Sequence, residues 1–463
     1  MNISPSIFKA YDVRALYPSE LDEKAAYLIG RAYVAYLESS LAAEGTPSSA
    51  PLRIAVSRDM RLSSPSLATA FVEGARDQGA NIIDFGMAGT DMLYFAVGRN
   101  GFDGGVQVTA SHNPKQYNGM KMVRRDAVPL SGDAGISDIR EMVVGERIPD
   151  ATRPQGTYAT REMLDPYIEC VMGFIDPAAI RPFKVVLDAG SGMAGLVAPR
   201  LFDRLPCQTT RLCFDVDGTF PNHEANPLIE ENRQDIVERV IADKADIGIA
   251  WDGDADRCFF IDGAGEFIGG DFITALLAEA FLMKSAGEKV IYDVRASYAV
   301  KDIVAQYGGT ALMNRVGHAF IKRRMRDEDA IFGGEVTGHY YFRDYFYADN
   351  GFIPALLILE LMSRKGQTLA ELLAPLRAKY FISGEINTTV ASMDLIDGRI
   401  KALAERYADG HTYTIDGFSA EFPYWHFNVR ASNTEPLLRL NLEGTTQALM
   451  EQKRDEVLAI IRA

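Results

Sequence analysis

Over the first three quarters of the chain, apolar positions switch between a spacing of two and a helical spacing. Arg53–Ser57 alternates as a strand, Pro65–Gln78 carries a helical stripe behind a Ser cap, and Ala80–Phe85 alternates again. Gly104–Thr109 reads as a third strand running into the polar loop Ala110–Asn118. A second round begins with the strand Phe183–Leu187, turns through the Gly-rich segment Ala189–Gly195, enters a helix over Leu196–Leu205 and ends in the strand Ala245–Trp251. A third takes in the helix Phe272–Lys284, the strand Lys289–Asp293, the helix Ser297–Tyr307 and the strand Ala330–Gly333. Strands alternating with helices of this length predict parallel α/β units, and each round closes on a polar or Gly-rich loop.

The last stretch breaks that rhythm. Ile382–Val390 alternates like one strand, Leu395–Tyr407 like a helix, Tyr413–Leu442 holds several short strands, and Thr446–Ile461 forms an amphipathic helix. The pattern predicts α/β domains over 1–155, 156–263 and 264–379, followed by an α+β domain over 380–463. With 463 residues, 47% hydrophobic and 24% charged, the chain has the composition of a soluble globular protein. A net charge of -15 argues against nucleic acid or an anionic membrane as partner, since both reward clustered positive charge. No stretch reaches the ~18 apolar residues of a membrane span, and the start MNISPSIFKAYDV lacks the features of a signal peptide. Cys170, Cys207, Cys213 and Cys258 show no CxxC spacing, which suggests neither a disulfide framework nor a zinc site and fits a reducing cytoplasm.

Four loops could carry chemistry. Thr109-Ala-Ser111-His112-Asn113-Pro114 puts a serine at the carboxyl end of a strand, where parallel sheets gather ligands; an Asn-Pro turn with a capping serine would read the same way. His112 is a tempting base for Ser111, but neighbours in an extended loop point apart. In Asp252-Gly-Asp254-Ala-Asp256-Arg257 the carboxylates at i, i+2 and i+4 share one side of an extended chain and suit a hard cation such as Mg²⁺. Three like charges this close repel unless a cation lies between them, although a plain acidic turn stays open. An EF-hand is excluded, because its Gly and Glu places hold Arg257 and Gly263. Gly333-Gly-Glu335-Val-Thr337-Gly-His339 offers a carboxylate and a hydroxyl suited to vicinal sugar hydroxyls, or a solvated Gly-rich turn. Arg430-Ala-Ser432-Asn433-Thr434-Glu435-Pro436 could clamp a phosphate or be an ordinary turn between strands. A fifth segment, Asp215-Val-Asp217-Gly-Thr219, matches the short DxDGT pattern of haloacid-dehalogenase phosphatases without their remaining motifs.

Together with Phe8-Lys-Ala-Tyr11-Asp12-Val-Arg14, Asn118-Gly-Met-Lys121 and Val316-Gly-His318, these loops in this order resemble the α-D-phosphohexomutase family, most closely its bacterial phosphomannomutase/phosphoglucomutase branch. The resemblance runs over nearly the whole chain. It implies three α/β mixed-sheet domains around a central cleft, plus a smaller α+β C-terminal domain. The implied reaction interconverts hexose 1-phosphate and hexose 6-phosphate through a phosphoserine and a hexose 1,6-bisphosphate. Ser111 would carry the phosphoryl group, and Asp252, Asp254 and Asp256 would hold Mg²⁺ with a phosphoserine oxygen. Glu335 and Thr337 would hold the sugar O3 and O4. Arg430, Ser432, Asn433 and Thr434 would grip the phosphate that is not reacting. Arg14, Lys121, Arg257, His318 and His339 would stabilise charge or move protons, with Tyr11 nearby. Glucose 1,6-bisphosphate is the expected activator, and a cytoplasmic monomer or weak homodimer the expected form.

The chain departs from that branch in places. Thr337 stands where Ser is usual, Ala255 where Gly is common, and Arg295 where Lys is often found. Gly89-Thr90-Asp91 replaces a Pro-Thr-Pro stretch and so removes the prolines that would stiffen the loop. An amino-sugar phosphomutase is the neighbouring reading, although that branch usually carries Gly where Asn433 stands. A Mg²⁺-dependent sugar phosphatase using Asp215 is a more distant one.

Overall fold

The structure, a computed structural model, describes residues 3–132, 134–432 and 436–463. The chain divides into two compact units, one of Met1–Ile268 with Thr337–Gly366, the other of Gly269–Val336 with Gln367–Ala463.

The first unit contains two mixed sheets. In one, the strands run in the order Val13–Leu16, Tyr117–Arg124, Gly104–Val108, Arg53–Arg58, Asn81–Met87 and Tyr158–Thr160. Arg53–Arg58 pairs in parallel with both of its neighbours, whereas Tyr117–Arg124 runs antiparallel to Gly104–Val108. Ile54, Val56, Val106, Val108 and Met120 project from this sheet into a core shared with Phe71 and Tyr33. The helices Glu23–Ala43 and Ser64–Asp77 cross closely because two glycines allow it. A Cβ on Gly30 would lie 2.3 Å from the Phe71 carbonyl oxygen, and one on Gly74 would lie 2.0 Å from that of Tyr27.

The other sheet runs Phe267–Ile268, Cys258–Asp262, Ile247–Trp251, Lys184–Asp188, Gln208–Leu212. Its three strands Ile247–Trp251, Lys184–Asp188 and Gln208–Leu212 are parallel, flanked by the helices Ala194–Phe202 and Gln234–Asp243. Tyr340–Phe342 and Ala348–Asp349 form an antiparallel pair in the same unit.

In the second unit, Lys289–Asp293 lies parallel to both Thr310–Asn314 and Phe332–Gly334, with the helices Gly270–Lys284, Tyr298–Gln306 and His318–Glu328. Its C-terminal sheet is antiparallel, ordered Phe381–Ile382, Leu437–Gly444, Trp425–Ala431, Phe418–Phe422, His411–Tyr413. The helices Asp394–Arg406 and Gln447–Arg462 pack their apolar stripes on it through Ile396, Leu403, Val457 and Ile461. The single strand expected over Ile382–Val390 is in fact two, Phe381–Ile382 and Ile386–Thr389, because Gly384 between them turns the chain at φ +67°.

The polar loops leave the carboxyl ends of parallel strands: Ser111 follows Gly104–Val108, Asp252 follows Ile247–Trp251, and Glu335 follows Phe332–Gly334. No helix among the described residues is long and apolar enough to cross a membrane.

Candidate active site

The first unit brings Ser111 onto the acidic loop. Ser111 adopts a left-handed conformation at φ 50° and is buried; its N–H donates to Thr109 Oγ1 at 2.9 Å and its hydroxyl to Asp252 Oδ2 at 2.7 Å. The left-handed turn overturns the expectation that His112 points away: its Nδ1 lies 3.3 Å from the Ser111 hydroxyl. That nitrogen also accepts from Arg257 Nη2 at 2.8 Å. Burial and the neighbouring cations Arg257, Arg14 and Lys121 hold the imidazole well below its ordinary range, so His112 is neutral with its lone pair engaged and is a poor base.

The serine loop is held by Arg61, which is fully buried and which no sequence motif marks. Its guanidinium donates to four backbone carbonyls: Ser111 at 2.7 Å, Asn113 at 2.6 Å, Pro114 at 2.8 Å and Tyr117 at 3.1 Å. Asp59 is its carboxylate partner at 3.2 Å and also accepts from Thr109 Oγ1 at 2.7 Å. Gly253 permits the two loops to touch, since a Cβ there would lie 2.5 Å from the Ser111 carbonyl oxygen.

Asp252, Asp254 and Asp256 are buried, with one oxygen from each gathered within 4.8 Å. Lys121 Nζ donates to Asp254 Oδ2 at 2.7 Å and to Asp256 Oδ2, and Thr90 Oγ1 donates to Asp254. Burial opposes ionisation of Asp254, but Lys121 outweighs it and holds this carboxyl well below the usual range. Asp252 is pushed well above that range by burial and by the charges of Asp254 and Asp256. Asp254 Oδ1 and Asp256 Oδ1 are buried without a hydrogen-bonding partner. Three clustered carboxylates, two of them with a buried oxygen that no hydrogen bond satisfies, fit a hard divalent cation of the Mg²⁺ class. Ala255 completes the loop at φ 60°, the left-handed conformation for which Gly is the easier residue.

The loop without prolines is fixed by other means. Thr90 starts the helix Thr90–Asn100 and its N–H donates to the Asp254 carbonyl at 3.1 Å. Asp91, buried and raised well above its ordinary range by that burial, meets the Tyr167 hydroxyl and accepts from Asn350 Nδ2 at 3.0 Å.

Other cations surround the serine. Arg14 donates to Asp12 Oδ2 at 2.5 Å and to Asn113 Oδ1 at 2.6 Å, and Arg257 Nε lies 3.5 Å from Asp252 Oδ2. His339 Nδ1 lies 3.0 Å from Asp349 Oδ2 and 3.8 Å from Asp256 Oδ1. Asp349, like Arg61, escapes a motif reading; its only sequence signal is an acidic residue ten positions beyond a candidate histidine. Tyr11 and Thr337 belong to this unit and are half-buried.

Glu335, His318, Arg430 and Ser432 belong to the second unit. The Gly317 N–H donates to Glu335 Oε2 at 3.3 Å, which sets Glu335 at the start of the helix bearing His318. Arg295 turns its fork onto its own strand end, donating to Asp293 Oδ1 at 2.9 Å and Oδ2 at 3.0 Å, with Glu335 3.6 Å away. Arg430 donates to Glu385 Oε2 at 2.8 Å, and the Ser432 N–H to the Leu437 carbonyl at 2.8 Å. Asn433 and Thr434 lie outside the described residues. The phosphatase reading finds no support: Asp215 is exposed, and Asp217 caps its own turn by accepting from the Thr219 N–H at 2.8 Å.

The chain is similar to known proteins over nearly its whole length. Four consecutive domains of the description "Phosphoglucomutase/phosphomannomutase" match here: alpha/beta/alpha domain I over residues 5–146, domain II over 165–265, domain III over 269–380 and the C-terminal domain over 364–460. A phosphomannomutase of Escherichia coli is 44% identical over 464 residues, spanning 98% of this chain and 99% of its own. Phosphohexose mutases of Xanthomonas campestris pv. campestris (strain B100) are 42% identical over 456 residues, spanning 98% and 99%. The crystal structure of a phosphoglucomutase/phosphomannomutase family protein from Burkholderia thailandensis superposes with a TM-score of 0.87 at 35% identity, covering 99% of this chain and 98% of that one.

Proposed function

Because this chain belongs to the phosphoglucomutase/phosphomannomutase family and is by that membership a phosphohexomutase, we propose that it interconverts the 1- and 6-phosphates of glucose and mannose, with residue 111 as the phosphoryl carrier. The observation that carries this reading is the Ser111 hydroxyl 2.7 Å from Asp252, in a nest of three buried carboxylates with two oxygens that no hydrogen bond satisfies.

In this reading, the phosphoryl group on Ser111 passes to the free hydroxyl of a hexose phosphate. The new P–O bond to the sugar forms as the bond to Ser111 Oγ breaks, and the bisphosphate then returns its other phosphoryl group to the same oxygen. Mg²⁺ held by Asp252, Asp254 and Asp256 would neutralise charge on the transferring group. Arg61 fixes the backbone from which Oγ projects, and Lys121, Arg14 and Arg257 place positive charge around it. Catalysis of this kind is chiefly placement and electrostatics.

With Asp349 Oδ2 as an ion-pair partner 3.0 Å from its Nδ1, His339 in this reading carries the sugar hydroxyl's proton on Nε2. Glu335 and Thr337 hold O3 and O4 and ignore O2, so glucose and mannose are both accepted. Arg430 and Ser432, with Asn433 and Thr434, grip the phosphate that is not reacting. Glucose 1,6-bisphosphate primes the serine.

With Mg²⁺ and a trace of glucose 1,6-bisphosphate, glucose 1-phosphate and mannose 1-phosphate are each expected to yield the 6-phosphate, and glucosamine 6-phosphate to turn over more slowly. Absence of product from both hexose 1-phosphates would overturn the reading.

A further inference from the structure

A second set of metal-ligating side chains gathers behind the acidic loop, drawn from residues that no motif links. Asp188 ends the strand Lys184–Asp188, and Cys213 follows its parallel neighbour Gln208–Leu212; the Asp188–Leu212 register brings both strand ends together. His223 comes back over them from the turn after Thr219. One nitrogen, His223 Nε2, meets both partners, Asp188 Oδ2 at 3.0 Å and Cys213 Sγ at 3.7 Å. All three ligand atoms lie within 4.8 Å of one another.

The remaining valences are committed elsewhere. His223 Nδ1–H donates to the Glu224 carbonyl at 3.0 Å, and Asp188 Oδ1 accepts from the Gly190 N–H at 2.9 Å. An imidazole that gives its far N–H to a backbone carbonyl is oriented as metal-bound histidines are. A catalytic thiol triad would need thiol and carboxylate on opposite ring nitrogens, whereas here both converge on one. Tetrahedral zinc, with bonds of about 2.3 Å to sulfur and about 2.0 Å to nitrogen and oxygen, sets S···N near ~3.6 Å and N···O near ~3.3 Å. The observed S···N and N···O distances reach those values with shifts of a few tenths of an ångström. Cys213 and His223 are only half-buried, which leaves a way in and a fourth position for water.

We propose that Asp188, Cys213 and His223 form a second cation site, selective for a thiophilic divalent ion of the zinc class and separate from the Mg²⁺-type triad. Binding releases the thiol proton, and any proton on Nε2, to solvent as the metal–sulfur and metal–nitrogen bonds form. The site is placed to brace the acidic loop from behind: the Ser191 N–H donates to the Cys213 carbonyl at 2.8 Å, and the Met193 N–H to the Gly253 carbonyl at 2.9 Å. The lack of a CxxC pair hides it, because a single sulfur suffices once the fold adds an imidazole and a carboxylate.

Co²⁺ tests the proposal, in full-length protein kept in excess Mg²⁺ so that the all-oxygen triad is occupied. One equivalent of Co²⁺ is expected to give thiolate-to-cobalt charge-transfer absorption, and Zn²⁺ to erase it. Cys213→Ser should abolish the band and weaken Zn²⁺ binding by about 10-fold or more. Cys170→Ser, Cys207→Ser and Cys258→Ser should each retain the band, which assigns the sulfur by elimination even if Cys213→Ser folds poorly. No thiolate band in the parent protein, or a band lost with one of the other three cysteines, would overturn the proposal.

Discussion

Gly253→Ala perturbs the site through space alone. Its φ lies outside the left-handed range, so alanine meets no backbone penalty, but the new Cβ would sit 2.5 Å from the Ser111 carbonyl oxygen where ordinary contact begins at 3.4 Å. The two loops must therefore part by about 0.9 Å. The carbonyl cannot retreat freely, because Arg61 Nη2 holds it at 2.7 Å. The shift falls either on the Ser111 hydroxyl or on Asp252 and Asp254. Misplacement by about 1 Å costs roughly 100-fold in rate, or about 2.7 kcal/mol of barrier. We expect kcat for glucose 1-phosphate to fall by about that factor, the apparent Mg²⁺ affinity to weaken, and KM to change little, since the proposed grip on the distal phosphate uses other residues. Steady-state kinetics coupled to glucose 6-phosphate oxidation measure the first two, and thermal melting checks that the variant is folded. A folded variant with kcat within about threefold of the parent would refute the placement argument.

Three further perturbations probe other parts of the account. Asp349→Asn should lower kcat with KM nearly unchanged, by less than the roughly 10²–10⁴-fold expected for His339→Ala, because it acts through the same imidazole; a KM effect alone would contradict that role. Arg61→Met leaves Asp59 buried without its cation and should cost about 3–5 kcal/mol in urea unfolding, whereas a loss comparable to that of a surface substitution would show that the fork is dispensable. Burial pushes Glu443 up from an ordinary 4.5 to about 8. Between those values the unfolded chain releases a proton that the folded chain keeps, so this group makes the protein lose stability as pH rises from about 4.5 to about 8, and no further above that. Glu443→Gln removes the loss, so unfolding at pH 5 and pH 8 should show the variant gaining on the parent by a few kcal/mol at the higher pH, and a constant difference would contradict the assignment.

The acidic loop and the serine are legible in one dimension because their ligands are close in sequence and their strands are short apolar runs. Lys289–Asp293 is read from its alternation at the bounds it takes in the structure. Glu23–Ala43 is much harder to see: Ala25, Ala26, Ile29, Ala32, Tyr33, Val34, Leu37 and Leu41 are all buried, so the helix lacks a clean polar face. Arg61 grips carbonyls about fifty residues away, Asp349 meets His339 through a hairpin, and Gly253 matters only for its distance from Ser111. Each is a product of tertiary packing, which local spacing does not encode. The expectation for His112 failed for a local reason, the left-handed turn at a non-glycine residue.

The most direct measurement is intact mass after incubation with glucose 1,6-bisphosphate and Mg²⁺, made on the parent chain and on Ser111→Ala. Phosphoryl transfer to the serine predicts a gain of about 80 Da in the parent that maps to the peptide holding residue 111, with no gain and near-complete loss of turnover in the variant. An alanine variant that still takes up the phosphoryl group, or that isomerises glucose 1-phosphate at the parental rate, would contradict the account.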